Sequence, residues 1–214
     1  MLRRAKTGWK HIRWKWRKIM IIGITGGIGT GKSTVLRILK DRYFFHIFES
    51  DKMGHEVMKP GTKVHEDIVQ YFGYEILKPD EFIDREKLGE IVFNNQEKLE
   101  YLNSLIHPAV IREIKERIDR IKDIEKDADF VVESALLFES GFDSICDQVW
   151  YVYADNETRR KRIKEERGMS DEKIDSIVTQ QLNDEEFKNR ADVVLDNSNS
   201  FDKTIDMIQK LLEI

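Results

Sequence analysis

The chain has 214 residues, 40% hydrophobic and 36% charged, with 36 basic against 40 acidic side chains and a net charge of −4. That is the composition of a soluble globular chain long enough to bury a core, and it excludes a disordered, collagenous or low-complexity protein. The single cysteine, Cys146, excludes an internal disulfide and makes a reducing, cytoplasmic compartment the expectation. No run of about 18 apolar residues occurs, so integral membrane association is not expected.

Charge is uneven along the chain. Eight of the basic side chains and none of the acidic ones fall in residues 1–19, together with Trp9, Trp14 and Trp16, three of the four tryptophans. Trp9, Ile12, Trp16 and Ile19 recur at roughly helical spacing. An amphipathic helix for an anionic membrane surface or a partner protein, an organelle presequence, and an upstream extension outside the folded unit are all compatible with this segment. The last reading leads, because Met20 stands directly before an apolar strand. The rest of the chain carries 28 basic against 40 acidic side chains. That balance argues against a nucleic-acid partner but leaves room for a local basic groove that holds phosphates. Nothing in the sequence sets an oligomeric state.

From Met20 onward, apolar runs at 20–25, 46–49, 130–133, 149–154 and 193–196 are short and apolar throughout, the pattern of strands buried on both faces of a parallel sheet. Helical patterns separate them, so the expected fold is α/β, a three-layer arrangement with right-handed crossovers. Residues 20–50, 127–156 and 191–214 make the core of one domain spanning 20–214. Residues 51–126 form a helical insertion with runs at 85–93 and 96–126, and 157–190 a second insertion rich in Arg, Lys and Glu.

Gly26-Gly27-Ile28-Gly29-Thr30-Gly31-Lys32-Ser33 fits G-x-x-x-x-G-K-[ST], with a buried strand leading in and an apolar helical run from Thr34 leading out. In that setting the residues from Gly27 to Thr34 wrap a nucleotide phosphate with backbone N–H groups at a helix N-terminus. Lys32 reaches the β- and γ-phosphates, and the Ser33 hydroxyl ligates Mg²⁺. Two other fragments point to a GTP switch on pattern alone. Asp51-Lys52-Met53-Gly54 fits D-x-x-G, and Asn189-Arg190-Ala191-Asp192 is near N-K-x-D. The second precedes an apolar strand instead of following one and has Arg in place of Lys, so a small-molecule kinase is the better reading.

Further segments resemble the dephospho-coenzyme A kinase family in order and spacing, from Met20 to the C-terminus. Gly23-Ile24-Thr25-Gly26-Gly27-Ile28-Gly29-Thr30-Gly31-Lys32-Ser33-Thr34 is similar to the family's opening. Glu49-Ser50-Asp51 with Gly54-His55-Glu56-Val57 resembles its D-x-D-x-x-x-[RH] region, and His107-Pro108 its H-P. Glu133-Ser134-Ala135-Leu136-Leu137-Phe138-Glu139-Ser140-Gly141 resembles its P-L-L-F-E-S-G, and Ala191-Asp192-Val193-Val194-Leu195-Asp196-Asn197 its A-D-x-[VI]-[IL]-x-N. The resemblance implies a P-loop kinase of the nucleoside-monophosphate-kinase type, with a five-stranded parallel sheet, residues 51–126 as the acceptor-binding region and 157–190 as a lid. It implies ATP as donor, 3′-dephospho-coenzyme A as acceptor, and Asp51, His55, His107, Glu133 and Leu136 as acceptor-side residues. Three departures stand out. Glu49 takes the place of the first acid and Ala135 that of the proline. In the lid Arg162 is kept, Glu166 and Arg167 stand where Arg and Asp occur, and Ile177 replaces a later arginine ahead of Gln181.

Phosphoryl transfer to an alcohol needs a carboxylate to orient or deprotonate the hydroxyl and positive charge around the moving group. Asp51 follows the second strand at a carboxyl end, where parallel sheets hold ligands. It reads either as that base or as an N-cap. His55, one turn on, shares a helical face with it and either approaches a substrate phosphate or is solvated. His107 reads as substrate-facing architecture rather than a metal ligand, with Pro108 expected to break or kink its helix. Glu133 reads as a Walker-B-like acid near the magnesium shell or as support for the substrate loop. The run Arg159, Arg160, Lys161, Arg162 and Arg167 reads as a solvated face, except that Arg162 also reads as a catalytic lid arginine. Two other functions share the loop: a kinase for a nucleoside monophosphate or another small alcohol, and an ATP-binding module that docks through residues 1–19.

Overall fold

Five short apolar runs become the strands of one all-parallel sheet in a computed structural model that describes residues 19–93, 95–178 and 182–212. Residues 1–18 of the basic segment and Gln181 lie outside the described residues, as do the side chains of Arg167 and Ile177. The strands are β1 (Ile21–Thr25), β2 (His46–Glu49), β3 (Phe130–Glu133), β4 (Gln148–Tyr153) and β5 (Val193–Asp196), in the order β2-β3-β1-β4-β5. All five match the sequence expectation within a residue at each end, with β4 displaced as a whole by one.

Each face of the sheet buries its own layer. Ile22, Ile24, Val131, Trp150, Val152 and Leu195 meet Val35, Ile38 and Leu39 of α1 (Lys32–Tyr43) and Ile205, Ile208 and Leu212 of α9 (Phe201–Leu212). On the other face Phe130, Val132, Val149 and Tyr151 meet Val110, Ile114 and Ile118 of α5 (Gln96–Ile124) and Phe187 of α8 (Asp184–Arg190). Burial on both sides explains why these strands lack alternation. At Gly23 in β1 the Cys146 sulfur lies 2.9 Å from where a Cβ would stand, so only glycine fits the approach.

Residues 51–126 hold no strand of the sheet among the described residues. The segment holds all but the first residue of α2 (Ser50–Val57), then α3 (Lys63–Phe72), α4 (Arg85–Phe93) and all of α5, around its own apolar cluster of Val64, Ile68, Phe72, Leu88 and Leu102. Thr62 caps α3 by accepting from the His65 N–H at 3.1 Å, and Asn95 caps α5 by accepting from the Lys98 N–H at 2.9 Å. Arg117 of α5 donates to Glu113 and to Glu56, tying α5 to α2. The second insertion folds as α6 (Asn156–Arg167), α7 (Asp171–Val178) and α8, the last opened by an Asn183/Glu186 capping box.

The register brings Thr25, Glu49, Glu133, Tyr153 and Asp196 to one edge of the sheet. The chain leaves β1 towards β2 on one side and leaves β3 towards β4 on the other. The adjacent pair β1 and β3 is therefore the switch point where open α/β sheets form their crevice.

Pro108 does not end a helix. α5 continues through it, although its ring nitrogen has no proton to give the Ser104 carbonyl one turn back. Apolar contacts on both sides of it, Leu102 and Ile106 before and Val110 and Ile114 after, hold the two halves in one helix. Pro108→Ala restores a donor and relieves the ring, partly offset by a freer unfolded chain, and is expected to stabilise the protein by about 2 kcal/mol. The urea unfolding midpoint checks this, and an unchanged or lower midpoint counts against it.

Candidate active site

The turn after β1 needs a backbone that most residues cannot adopt. Gly29 and Gly31 have φ of 77° and 87°, left-handed values that favour glycine. A Cβ on Gly29 would lie 2.8 Å from Ile163 and 2.9 Å from the Arg159 carbonyl, and one on Gly31 would strike the Asn197 amide. Gly31 is also the N-cap of α1 and supplies no capping side chain, and the first turn holds no acid. The leading N–H groups of α1 thus face an unblocked position for an anion.

The loop carbonyls are tied on the other side. Gly26 O accepts from Lys32 Nζ at 2.7 Å, and Gly27 O accepts from the buried Thr30 hydroxyl at 2.9 Å. Ile28 O accepts from Arg159 Nε at 3.1 Å. Thr30 O accepts from Asn197 Nδ2 at 2.8 Å and Arg162 Nη1 at 3.3 Å, while Arg162 Nη2 donates to Asn197 O at 2.8 Å.

These groups border a cavity of about 600 Å³ lined by Gly27, Ile28, Gly29, Gly31, Lys32, Ser33 and Thr34 from the loop and α1, by Arg162 from α6, and by Glu49, Asp51 and Glu133 from the ends of β2 and β3. Lys32 Nζ lies 3.7 Å from Glu133 Oε1. Burial lifts the Glu133 carboxyl above its ordinary range, the charges of Asp51 and Glu49 push it the same way, and Lys32 opposes them. Glu49 is held by Lys52 Nζ at 2.7 Å. Among the described residues no group of three His, Cys, Asp or Glu could hold a metal ion.

Asp51 does not cap α2. The cap position is Glu49, with no side-chain hydrogen bond, and Asp51 lies exposed in the first helical turn. His55 stands close enough to feel the Asp51 charge, but partial burial and Arg85 outweigh it and lower the His55 pKa. The D-x-x-G fragment lies wholly within α2 and forms no switch loop.

The cavity brings together Asp51, Glu133, Arg162, Ser33 and the loop. His55, His107 and Leu136 lie outside its lining; Leu136 is exposed, and the His107 ring sits 6.1 Å from that of Phe142. Of the charged run, Lys161 is exposed, as a solvated face requires, but Arg159, Arg160 and Arg162 are not. Arg159 is buried against the loop, and Arg160 is paired with Asp171 and Asp175 of α7. Sequence reading gave no role at the site to Arg159, Asn197, Arg37 or Phe201, of which the last three line the cavity, and Arg37 lies 5.4 Å over the Phe201 ring. The three-residue spacing of Arg159 and Arg162, which puts both on one face of α6, was the available signal for Arg159.

A family model described as dephospho-CoA kinase matches residues 20–203. The chain is similar to the dephospho-CoA kinase of Carboxydothermus hydrogenoformans, 40% identical over 193 residues that cover 90% of this chain and 93% of that one. It is also similar to the dephospho-CoA kinase of Fusobacterium nucleatum subsp. nucleatum, 40% identical over 195 residues, 91% of this chain and 98% of that one. Among solved structures it is similar to dephospho-CoA kinase from Campylobacter jejuni, at 31% identity and a TM-score of 0.65 over 90% of this chain and 95% of that one.

Burial lowers the His107 pKa below its ordinary 6.5. The neutral ring that folding favours is fully present above that value, and its contribution to stability is lost as the pH falls towards the lowered one. His107→Gln is therefore expected to flatten the fall in urea midpoint below pH 6.5, compared with the parent protein. Parallel pH profiles of the two would count against it.

Proposed function

The chain belongs to the dephospho-CoA kinase family, and from that premise we propose how its own residues carry the reaction. It transfers the γ-phosphoryl group of ATP to the ribose 3′-hydroxyl of 3′-dephospho-coenzyme A, the last step of coenzyme A synthesis. A bond forms between the 3′-oxygen and phosphorus, the bond from phosphorus to the β,γ-bridging oxygen breaks, and ADP leaves while the hydroxyl proton passes to a base.

The N–H groups of the loop and the start of α1 hold the donor phosphates, with Lys32 turned to the β- and γ-phosphates. Asp51 orients the 3′-hydroxyl and accepts its proton. The observation that carries this role is that Asp51, exposed and free of capping duty, lines the same cavity as the phosphate loop. Arg162 opposes charge on the transferring group from the α6 side. Residues 51–126 bind the acceptor, with His55 near both Asp51 and Arg85, and His107 and Leu136 shaping that region. A cytoplasmic site of action fits the lone cysteine, and among the described residues no helix is long and apolar enough to cross a membrane.

The residues also suit a magnesium ion that arrives with ATP. The Ser33 hydroxyl and the Glu133 carboxylate line one cavity, and Mg²⁺ takes oxygen donors, one or two from protein and the rest from phosphates and water. When bound, the ion neutralises charge on the β- and γ-phosphates.

Asp51→Asn keeps the shape and removes the base. Turnover with dephospho-coenzyme A is expected to fall by about 10²–10⁴ while ATP affinity hardly changes. Lys32→Ala, run alongside, loses phosphate binding and transfer together. ADP release measured with dephospho-coenzyme A, with nucleoside monophosphates and with no acceptor gives the acceptor class. An Asp51→Asn enzyme within about threefold of the parent, far short of the contribution of a positioned base, would remove Asp51 from the mechanism.

A further inference from the structure

The Tyr151, Asp184 and Arg159 side chains form a chain of contacts that begins in the core and ends on the phosphate loop. Tyr151 of β4 is fully buried and stacked on Phe187 of α8, with ring centroids 4.7 Å apart and planes 8° from parallel. Its hydroxyl donates to Asp184 Oδ1 at 2.6 Å, at the start of that same helix. Burial, with Asp184 adding to it, raises the phenol pKa, so the hydroxyl keeps its proton and stays a donor. The same carboxylate oxygen lies 3.5 Å from Arg159 Nη1. Arg159, with a side chain 11% exposed, spends its Nε on the Ile28 carbonyl at 3.1 Å.

A planar peptide turns its carbonyl and its N–H to opposite sides. Whatever holds Ile28 O towards α6 therefore turns the N–H of Gly29, the other end of that peptide, towards the cavity that Gly29 lines. The α6 backbone is pressed against the loop at the same point, since a Cβ on Gly29 would meet the Arg159 carbonyl and Ile163. A buried guanidinium with its donors on a carbonyl and a carboxylate is held in one place.

We propose that Arg159 is a positioning residue for the phosphate loop, anchored to the core through Asp184 and Tyr151, which sets the Ile28–Gly29 peptide for phosphate binding. It acts on the donor phosphates and leaves the nucleobase and the acceptor alone. The proposal rests on the reading of the loop as the ATP site.

Calorimetric titration of the full chain with inorganic tripolyphosphate and with ATP tests it, because tripolyphosphate meets the loop without a base. Arg159→Met keeps the buried stem and removes the donors. It is expected to weaken both ligands alike, by about 10- to 100-fold, the usual worth of a charged hydrogen bond. At saturating ATP its kcat stays near that of the parent, so the loss appears in KM. Arg159→Lys, which keeps one charged donor, recovers part of the affinity. Asp184→Asn and Tyr151→Phe each cost less than Arg159→Met and cost nothing further in its background, as members of one chain should.

Tripolyphosphate affinity within about threefold of the parent in Arg159→Met, below what one charged hydrogen bond contributes, overturns the proposal. So does a loss confined to ATP, which would mean contact with the base. If Arg159→Met does not fold, the Asp184→Asn and Tyr151→Phe pair decides, and fully additive effects overturn it. Lys32→Ala separates the underlying reading: tripolyphosphate binding that survives that change counts against the loop as the ATP site and removes the proposal with it.

Discussion

A phosphate loop works only if its peptide N–H groups turn inward, which turns carbonyls outward to partners of their own, here at Gly26, Gly27, Ile28 and Thr30. In this chain those partners come from scattered places. Lys32 serves Gly26 and Thr30 serves Gly27 from within the loop and α1, but Arg159 and Arg162 come from α6, and Asn197 comes from the end of β5. Asn197 is itself fixed by the Thr204 hydroxyl of α9, which donates to Asn197 Oδ1 at 2.8 Å. The shape of a six-residue turn thus depends on segments up to 167 positions away. A buried carbonyl without a partner would cost about 1–3 kcal/mol, so the loop, the second insertion and the C-terminal unit have to form together.

Opposite charges divide the crevice. Lys32 and Arg162 stand on the loop side, and Glu49, Asp51 and Glu133 stand at the ends of β2 and β3. Three carboxylates so close repel one another, which is visible in the upward push that Asp51 and Glu49 exert on Glu133. Lys52 on Glu49 and Lys32 near Glu133 offset part of that repulsion. Asp51 has neither lysine within ion-pair distance of it and stays exposed, the state a carboxylate needs if it is to meet a hydroxyl from the acceptor.

How much of this could be read from sequence depended on the range of the interactions involved. The strands were legible because burial on both faces leaves an unbroken apolar run, and the glycine loop because φ near 80° and close approach restrict the residue choice locally. At Pro108 the break allowed by a local rule about prolines lost to packing on both sides of it, and the helix runs on. The cap reading of Asp51 failed for a related reason: Glu49, two residues earlier, already occupies the turn into α2. Arg159 was hidden by its own neighbours. In sequence it is one cation of a charged run, and only the fold shows that it alone of Arg159, Arg160 and Lys161 is buried. The partners that distinguish it, Ile28 and Asp184, lie 131 and 25 residues away.

Cys146 sits behind Gly23 of the central strand, its Sγ 3.3 Å from the Phe142 carbonyl. Burial, aided by the charges of Asp143 and Asp147, pushes its thiol up to about 12. A thiolate is the form that attacks an electrophile or a disulfide, so at neutral pH the folded protein holds Cys146 as the unreactive thiol. Alkylating reagents find little thiolate there while Cys146 packs against Gly23, which makes the rate of thiol labelling a gauge of how often β1 parts from its neighbours.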